Sequence, residues 1–140
     1  MPAFITLTPH PITATLPAAG KILQPLWSAV DVSRCDILDL ELGVLFLSSK
    51  IQAEVYIETG MHNHTELSAE DGGDWHVAGK FPQKVSIGKG GLPAPSWQKL
   101  NISSGINGTG LLKFVRYRID LSGAGTVTVF IRGLARRWSR

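Results

Sequence analysis

Three histidines carry the first candidate chemistry. His62 and His64 are two residues apart, His76 follows, and Glu66, Glu70 and Asp71 lie between them. On an extended chain that spacing turns both imidazoles to one side, where they can share a metal ion. A structural site needs two further ligands at defined spacing, and the sequence does not specify that geometry. Histidines on an exposed polar loop are the alternative, with adventitious zinc or nickel as the practical consequence.

Nucleophiles are scarce. Cys35 is the only cysteine and follows Arg34, a neighbour able to lower a thiol pKa. No histidine lies near it in sequence, so an idle, buried thiol is the competing reading. There is no G-x-S-x-G elbow and no H-E-x-x-H. Asp39, Glu41, Glu54 and Glu58 offer carboxylates for a glycosidase-type pair, or simply polar strand faces. GKGG at 88–91 lacks the spacing and following helix of a phosphate-binding loop. No catalytic residue, cofactor site or metal site is therefore assigned. Asn63, Asn101 and Asn107 each open an N-x-[ST] sequon, which reflects loop composition.

Aromatic and basic residues offer binding chemistry instead. Trp75 is in phase with Val77 and Phe81 and reads as core. Trp97 follows a Gly/Pro loop, and its exposure would make it a stacking platform for a sugar. Trp138 stands among Arg136, Arg137 and Arg140. Trp and Arg are the residue types enriched at interface hot spots. Segment 113–140 carries Lys113, Arg116, Arg118, Arg132, Arg136, Arg137 and Arg140 against Asp120 alone, whereas the first 20 residues carry no charged side chain. A basic C-terminal part suits an acidic partner; a solvated sheet face is the bland alternative.

The elements that position these residues read as strands. Leu38, Leu40, Leu42, Val44 and Phe46 alternate with Asp39, Glu41 and Gly43, a half-buried strand. Ser48-Ser49-Lys50 turns the chain. Ile51, Ala53, Val55 and Ile57 then alternate with Gln52, Glu54, Tyr56 and Glu58, so the two strands are expected to be neighbours. Residues 60–74 and 88–95 are loops. Val85, Ile87 and the stretch 97–102 give further short strands. Ala29 to Leu38 has room for one helical turn. Val115, Tyr117, Ile119 and Leu121 precede Ser122-Gly123-Ala124-Gly125, then come Val127, Val129 and Ile131. This pair is expected to form a hairpin that gathers Arg116, Arg118 and Arg132 on one outer face.

The chain of 140 residues has 44% hydrophobic and 18% charged residues, a net charge of +3, 15 glycines and 8 prolines. That is one domain with a core, built of short strands and tight turns. The expected fold is all-β, a single-domain two-sheet antiparallel sandwich, jelly-roll-like, spanning 21–140 behind an extended Pro-rich arm, 1–20. The start has no basic n-region and is broken by Pro2, Pro9, Pro11 and Pro17, so it is not read as a signal peptide. No stretch is long and apolar enough for a helical membrane span. Folding in the cytoplasm is expected.

The order DLELGVLFL (39–47), VYIETG (55–60), DWHVAGKF (74–81), FVRYRIDLSGAG (114–125) and TVTVFIRGLAR (126–136) resembles small discoidin-like or galactose-binding-like β-sandwich structural proteins of tailed phages, prophages and gene-transfer particles. The resemblance covers about residues 38–136. It implies a non-enzymatic virion protein, capsid decoration or cement or a head, neck or tail accessory, made in the host cytoplasm. Its partners would be the major capsid or other virion proteins, with self-association into a homo-oligomer and neither membrane nor nucleic acid involved. Arg116, Arg118, Arg132, Arg136, Arg137 and Trp138 are the candidate contact residues. The alternative is a carbohydrate-binding module on a particle or tail surface, with a glycan stacked on Trp97.

Overall fold

The computed structural model describes residues 3–25, 28–48, 50–61, 75–86, 93–103 and 111–136. These residues form eleven strands and no helix: β1 (Ala3–Thr6), β2 (Ile12–Leu16), β3 (Gly20–Leu23), β4 (Val30–Asp31), β5 (Ile37–Leu47), β6 (Gln52–Gly60), β7 (His76–Lys80), β8 (Val85–Ser86), β9 (Ser96–Ser103), β10 (Phe114–Leu121) and β11 (Gly125–Arg136). The helical turn expected within 29–38 is β4 followed by a short turn, in which Asp31 accepts hydrogen bonds from the Ser33 amide and hydroxyl.

All pairings are antiparallel. Sheet A runs β1-β11-β5-β9, with β2 beside β1 on the same edge of β11. Sheet B runs β3-β10-β6-β7, with β4 also on β10 and β8 on β6. The protein is an all-β, two-sheet sandwich. Its core is one cluster. Sheet A contributes Leu38, Leu40, Leu42, Val44, Leu47, Val127, Val129 and Ile131, and sheet B contributes Ala53, Val55, Ile57, Val115, Ile119 and Leu121. Burying a large aliphatic side chain contributes about 1.5–3 kcal/mol, so alternation in these four long strands is the main source of the fold's stability.

The expected C-terminal hairpin is absent, and so is the expected pairing of the two strands before it. β5 lies in sheet A and pairs with β11, while β6 lies in sheet B and pairs with β10. The chain passes from one sheet to the other between β5 and β6 and back again between β10 and β11, so each connection is an arch. The arches nest at one end of the sandwich. The Ser48 hydroxyl accepts from the Thr126 amide at 2.8 Å, and the Ser122 hydroxyl accepts from the Gln52 amide at 2.7 Å. Ile51 packs against this end: a Cβ on Gly125 would lie 2.5 Å from its Cδ1 and 3.1 Å from Ser48 Cβ, so a larger residue there would have to displace the Ile51 side chain.

Two bulges shift the expected phase. Val129 pairs with Val44 but Thr128 with Phe46, leaving Leu45 as an extra residue. Phe46, expected in the core, is therefore turned outward and Leu47 takes the inner place. Opposite β6, Ala78 is extra between Gly79 and Val77. Gly79 and Phe81 keep the inner phase, while Val77 faces out. Trp75, expected in the core, is carried to the outer side of sheet B.

The expected arm is extended but does not stand apart. Its residues 3–6 and 12–16 are edge strands on β11. Between them Thr8 is buried, and its hydroxyl accepts the Ile131 amide at 2.9 Å. Sheet B repeats the device. In the gap between β3 and β4, the buried Gln24 side chain accepts the Tyr117 amide at 3.0 Å and donates to the Ser28 carbonyl at 2.8 Å. In each sheet one polar side chain takes the place of the missing strand residue, satisfying a backbone donor that burial would otherwise leave unpaired.

Candidate functional site

The arginines expected on one face lie on opposite faces of the sandwich. Strand alternation does turn Arg116 and Arg118 away from Val115, Tyr117 and Ile119, but onto the outer side of sheet B. Arg132 and Arg136 are on β11 and face outward from sheet A. Arg137, Arg140 and Trp138 lie outside the described residues.

On sheet B the arginines are structural. Arg116 is only 1% exposed and Glu58 only 6%. Register places them opposite each other. Arg116 Nε donates to Glu58 Oε1 at 2.8 Å, and Arg118 Nη1 donates to Glu58 Oε2 at 3.0 Å. Arg118 reaches on to both oxygens of Asp120. Aromatic rings roof the row: the Arg116 guanidinium is 4.5 Å from the centre of the Trp75 ring, and that of Arg118 is 4.1 Å from Tyr56. Arg116 is thus unavailable as a contact residue. A glutamate in its place would set a second carboxylate against Glu58. Mutual repulsion among gathered arginines, the sequence-based argument for an acidic partner, is likewise absent, because these arginines alternate with carboxylates.

The outer side of sheet A is the accessible one. Its rows follow from register. Phe130, Gly43 and Trp97 form one row across β11, β5 and β9. Arg132, Glu41 and Lys99 form the next, and Leu134, Asp39 and Asn101 the third. The polar rows are internally bonded. Arg132 Nη2 lies 3.0 Å from Glu41 Oε1, Asn101 Nδ2 donates to Asp39 Oδ1 at 2.6 Å, and Arg136 pairs with Asp39 Oδ2. The Asn101 amide, followed by the Arg136 guanidinium, holds the Asp39 carboxyl below its ordinary pKa. A groove of about 830 Å³ runs over these rows, within the range of small-molecule sites. Phe4, 89% exposed on β1, stands at its rim.

Trp97 is 51% exposed, as its position after the Gly/Pro loop suggested. Gly43 explains its pose. A Cβ built there would lie 2.9, 2.6 and 2.7 Å from Cε3, Cζ3 and Cη2. Three consecutive ring atoms at nearly one distance mean that the indole meets that point with its face, not its edge. The ring lies flat in the space that a side chain at 43 would fill. That role of Gly43 depends on register with a residue more than fifty positions away, so local sequence gives no sign of it.

The other sequence candidates separate. Asp39 and Glu41 are on sheet A, Glu54 and Glu58 on sheet B, and all four engage a cation. The Lys80 ammonium lowers the Glu54 pKa as well, opposite to the shift a general acid requires. Cys35 is half-buried, and its thiol donates to the Ile37 carbonyl at 2.9 Å. Burial pushes its pKa up, against the lowering expected from Arg34. His76 is exposed at the start of β7; His62, His64 and the GKGG stretch lie outside the described residues. Among the described residues no group of three or more His, Cys, Asp or Glu side chains is placed to hold a metal ion. Asn101 is on a strand, not a loop. The chain matches no protein-family model, no curated protein and no solved structure.

Proposed function

We propose that the chain is a non-enzymatic structural component of a phage-type particle, a capsid decoration or cement protein or another head, neck or tail accessory, attached by protein–protein contacts along the N-terminal edge of sheet A. The observation that carries this reading is Phe4, 89% exposed on an edge strand from a segment without charged side chains. Edge strands of soluble proteins are ordinarily blunted by charge. An uncharged edge bearing a bare phenyl ring suits β-strand addition, in which main-chain hydrogen bonds give affinity and side-chain pockets give specificity. The order of sequence elements resembles that of phage-particle sandwiches, which supports the particle setting with a major capsid or other virion protein as partner. Arg136 ends β11 next to the start of β1, since Ala135 pairs with Ala3, so one basic residue flanks the same edge.

The test is co-sedimentation with cognate particles assembled without this protein. The native chain is expected to bind, and Phe4→Glu to bind at least ten-fold more weakly with unchanged thermal unfolding, because Phe4 buries almost nothing. Failure of the native chain to bind, or full occupancy by the variant, overturns the reading.

A further inference from the structure

We propose that in the free protein β1 is covered by β1 of a second copy of this chain, the two strands pairing antiparallel about a two-fold axis at Ile5. That this pairing holds the docking strand in reserve rests on the particle reading; the pairing itself does not. Three observations carry it.

The first is where the backbone of β1 points. Leu7 donates its amide to the Ile131 carbonyl, and Ile5 and Ala3 stand opposite Gly133 and Ala135 in the same ladder. Successive residues of a strand turn their N–H and C=O groups to opposite sides. The odd residues therefore bond to β11, and Phe4 and Thr6 turn their main-chain groups to the open edge. Among the described residues no strand pairs with β1 on that side.

The second is that this edge fits itself. Residues opposite each other in an antiparallel pair share a face of the sheet, so Phe4 and Thr6 meet only outward-facing residues of the second copy. With the axis at Ile5, Phe4 of each copy stands opposite Thr6 of the other, and each such pair exchanges two main-chain hydrogen bonds. Every outward N–H and C=O of these two residues is then satisfied. An axis at Phe4 instead sets Thr6 against residue 2, a proline with no N–H to give. Pro9 and Pro11 keep the ladder from running on along the arm.

The third is the chemistry of the strand. The first 20 residues carry no charged side chain, so the two-fold axis brings no like charges together. β2 shows the second copy Thr13 and Thr15, whose hydroxyls already bond to Thr128 and Thr126. β1 shows it Phe4, 89% exposed beside Leu134, and covering that ring favours β1 over β2. One short strand and one ring per copy fall short of the roughly 1,200–2,000 Å² of a stable interface. The pair is therefore weak and reversible, as a cover that a particle protein displaces must be.

The test is sedimentation velocity of the full chain without particles, from micromolar to millimolar concentration, with amide hydrogen exchange at both ends of that range. A reversible monomer–dimer equilibrium is expected. As the dimer forms, exchange should slow at Phe4 and Thr6 more than at Ile5, which already faces β11. Phe4→Glu should weaken the dimer about ten-fold or more. Phe4→Glu combined with Thr6→Lys should recover most of that loss, because the axis at Ile5 sets each carboxylate against the other copy's ammonium. Thr13→Lys, on β2, should leave the dimer as it is. A chain that stays monomeric throughout, a dimer indifferent to Phe4→Glu, a double variant no better than Phe4→Glu alone, or a dimer lost in Thr13→Lys overturns the proposal. A native chain that dimerises but does not bind cognate particles overturns the particle reading and leaves the pairing standing.

Discussion

Glu58 on β6 and Arg116 on β10 face each other across the centre of sheet B, 2.8 Å apart and almost wholly shielded from water beneath Trp75. A pair in such a place behaves asymmetrically. Removing one member strands a buried charge, whereas removing both costs far less. Arg116→Ala or Glu58→Ala is expected to lower unfolding free energy by about 3–5 kcal/mol, while Glu58→Leu combined with Arg116→Met lies within about 1–2 kcal/mol of the native chain or above it. Urea denaturation of the four proteins checks this. Equal, small losses for the singles would mean the pair is solvated.

The bulge at Leu45 makes a sharp contrast between neighbours. Phe46 is outside and 51% exposed, and Leu47 is inside and 1% exposed. Leu47→Ala should cost about 2–5 kcal/mol, and Phe46→Ala no more than about 0.5 kcal/mol. Uninterrupted alternation predicts the reverse order, so thermal melts of the two variants decide between them.

The split edges of both sheets make matched predictions. Gln24→Leu leaves the Tyr117 amide without its acceptor, and Thr8→Val does the same to the Ile131 amide. Each should cost about 1–3 kcal/mol, the penalty for an orphaned buried donor, despite nearly conserved volume. Amide hydrogen exchange should also quicken at Tyr117 and Ile131 respectively.

Asp39 gives the fold a pH dependence of known sign. Its folded pKa lies below the ordinary 3.8, first through the Asn101 amide and then through Arg136. A depressed carboxylate pKa contributes stability that is complete above the unfolded value and is lost as pH falls through the folded one. The native chain should therefore exceed Asp39→Asn in melting temperature at neutral pH, and the gap should close below about pH 4. A gap that persists or widens in acid would exclude this role for the carboxylate.

Much of this architecture is legible in the chain, for a definite reason. Period-two alternation fixes which residues face inward, so Leu38 to Val44, Ile51 to Ile57, Val115 to Leu121 and Val127 to Ile131 enter the core as expected. Alternation is silent on which strand lies next door. The links between β5 and β6 and between β10 and β11 are as short as hairpin turns, yet each joins the two sheets, and that change moves Arg132 to the opposite side of the molecule from Arg116. Nor does a polar strand face imply an exposed one. Arg116 is in the expected phase yet is buried, with Trp75 over its guanidinium and Glu58 beside it. Trp97 could be singled out from its neighbourhood, but its pose needs Gly43 opposite, and register alone supplies that.

On the proposed reading, the N-terminal edge of sheet A is where this protein meets a particle. An electron cryo-microscopy map of the native particle produced with this chain tests it most directly. The account predicts density for the sandwich with β1 against a capsid, neck or tail protein and Phe4 covered. A map without the sandwich, or one in which β1 and Phe4 face solvent while another face makes the contact, would contradict it.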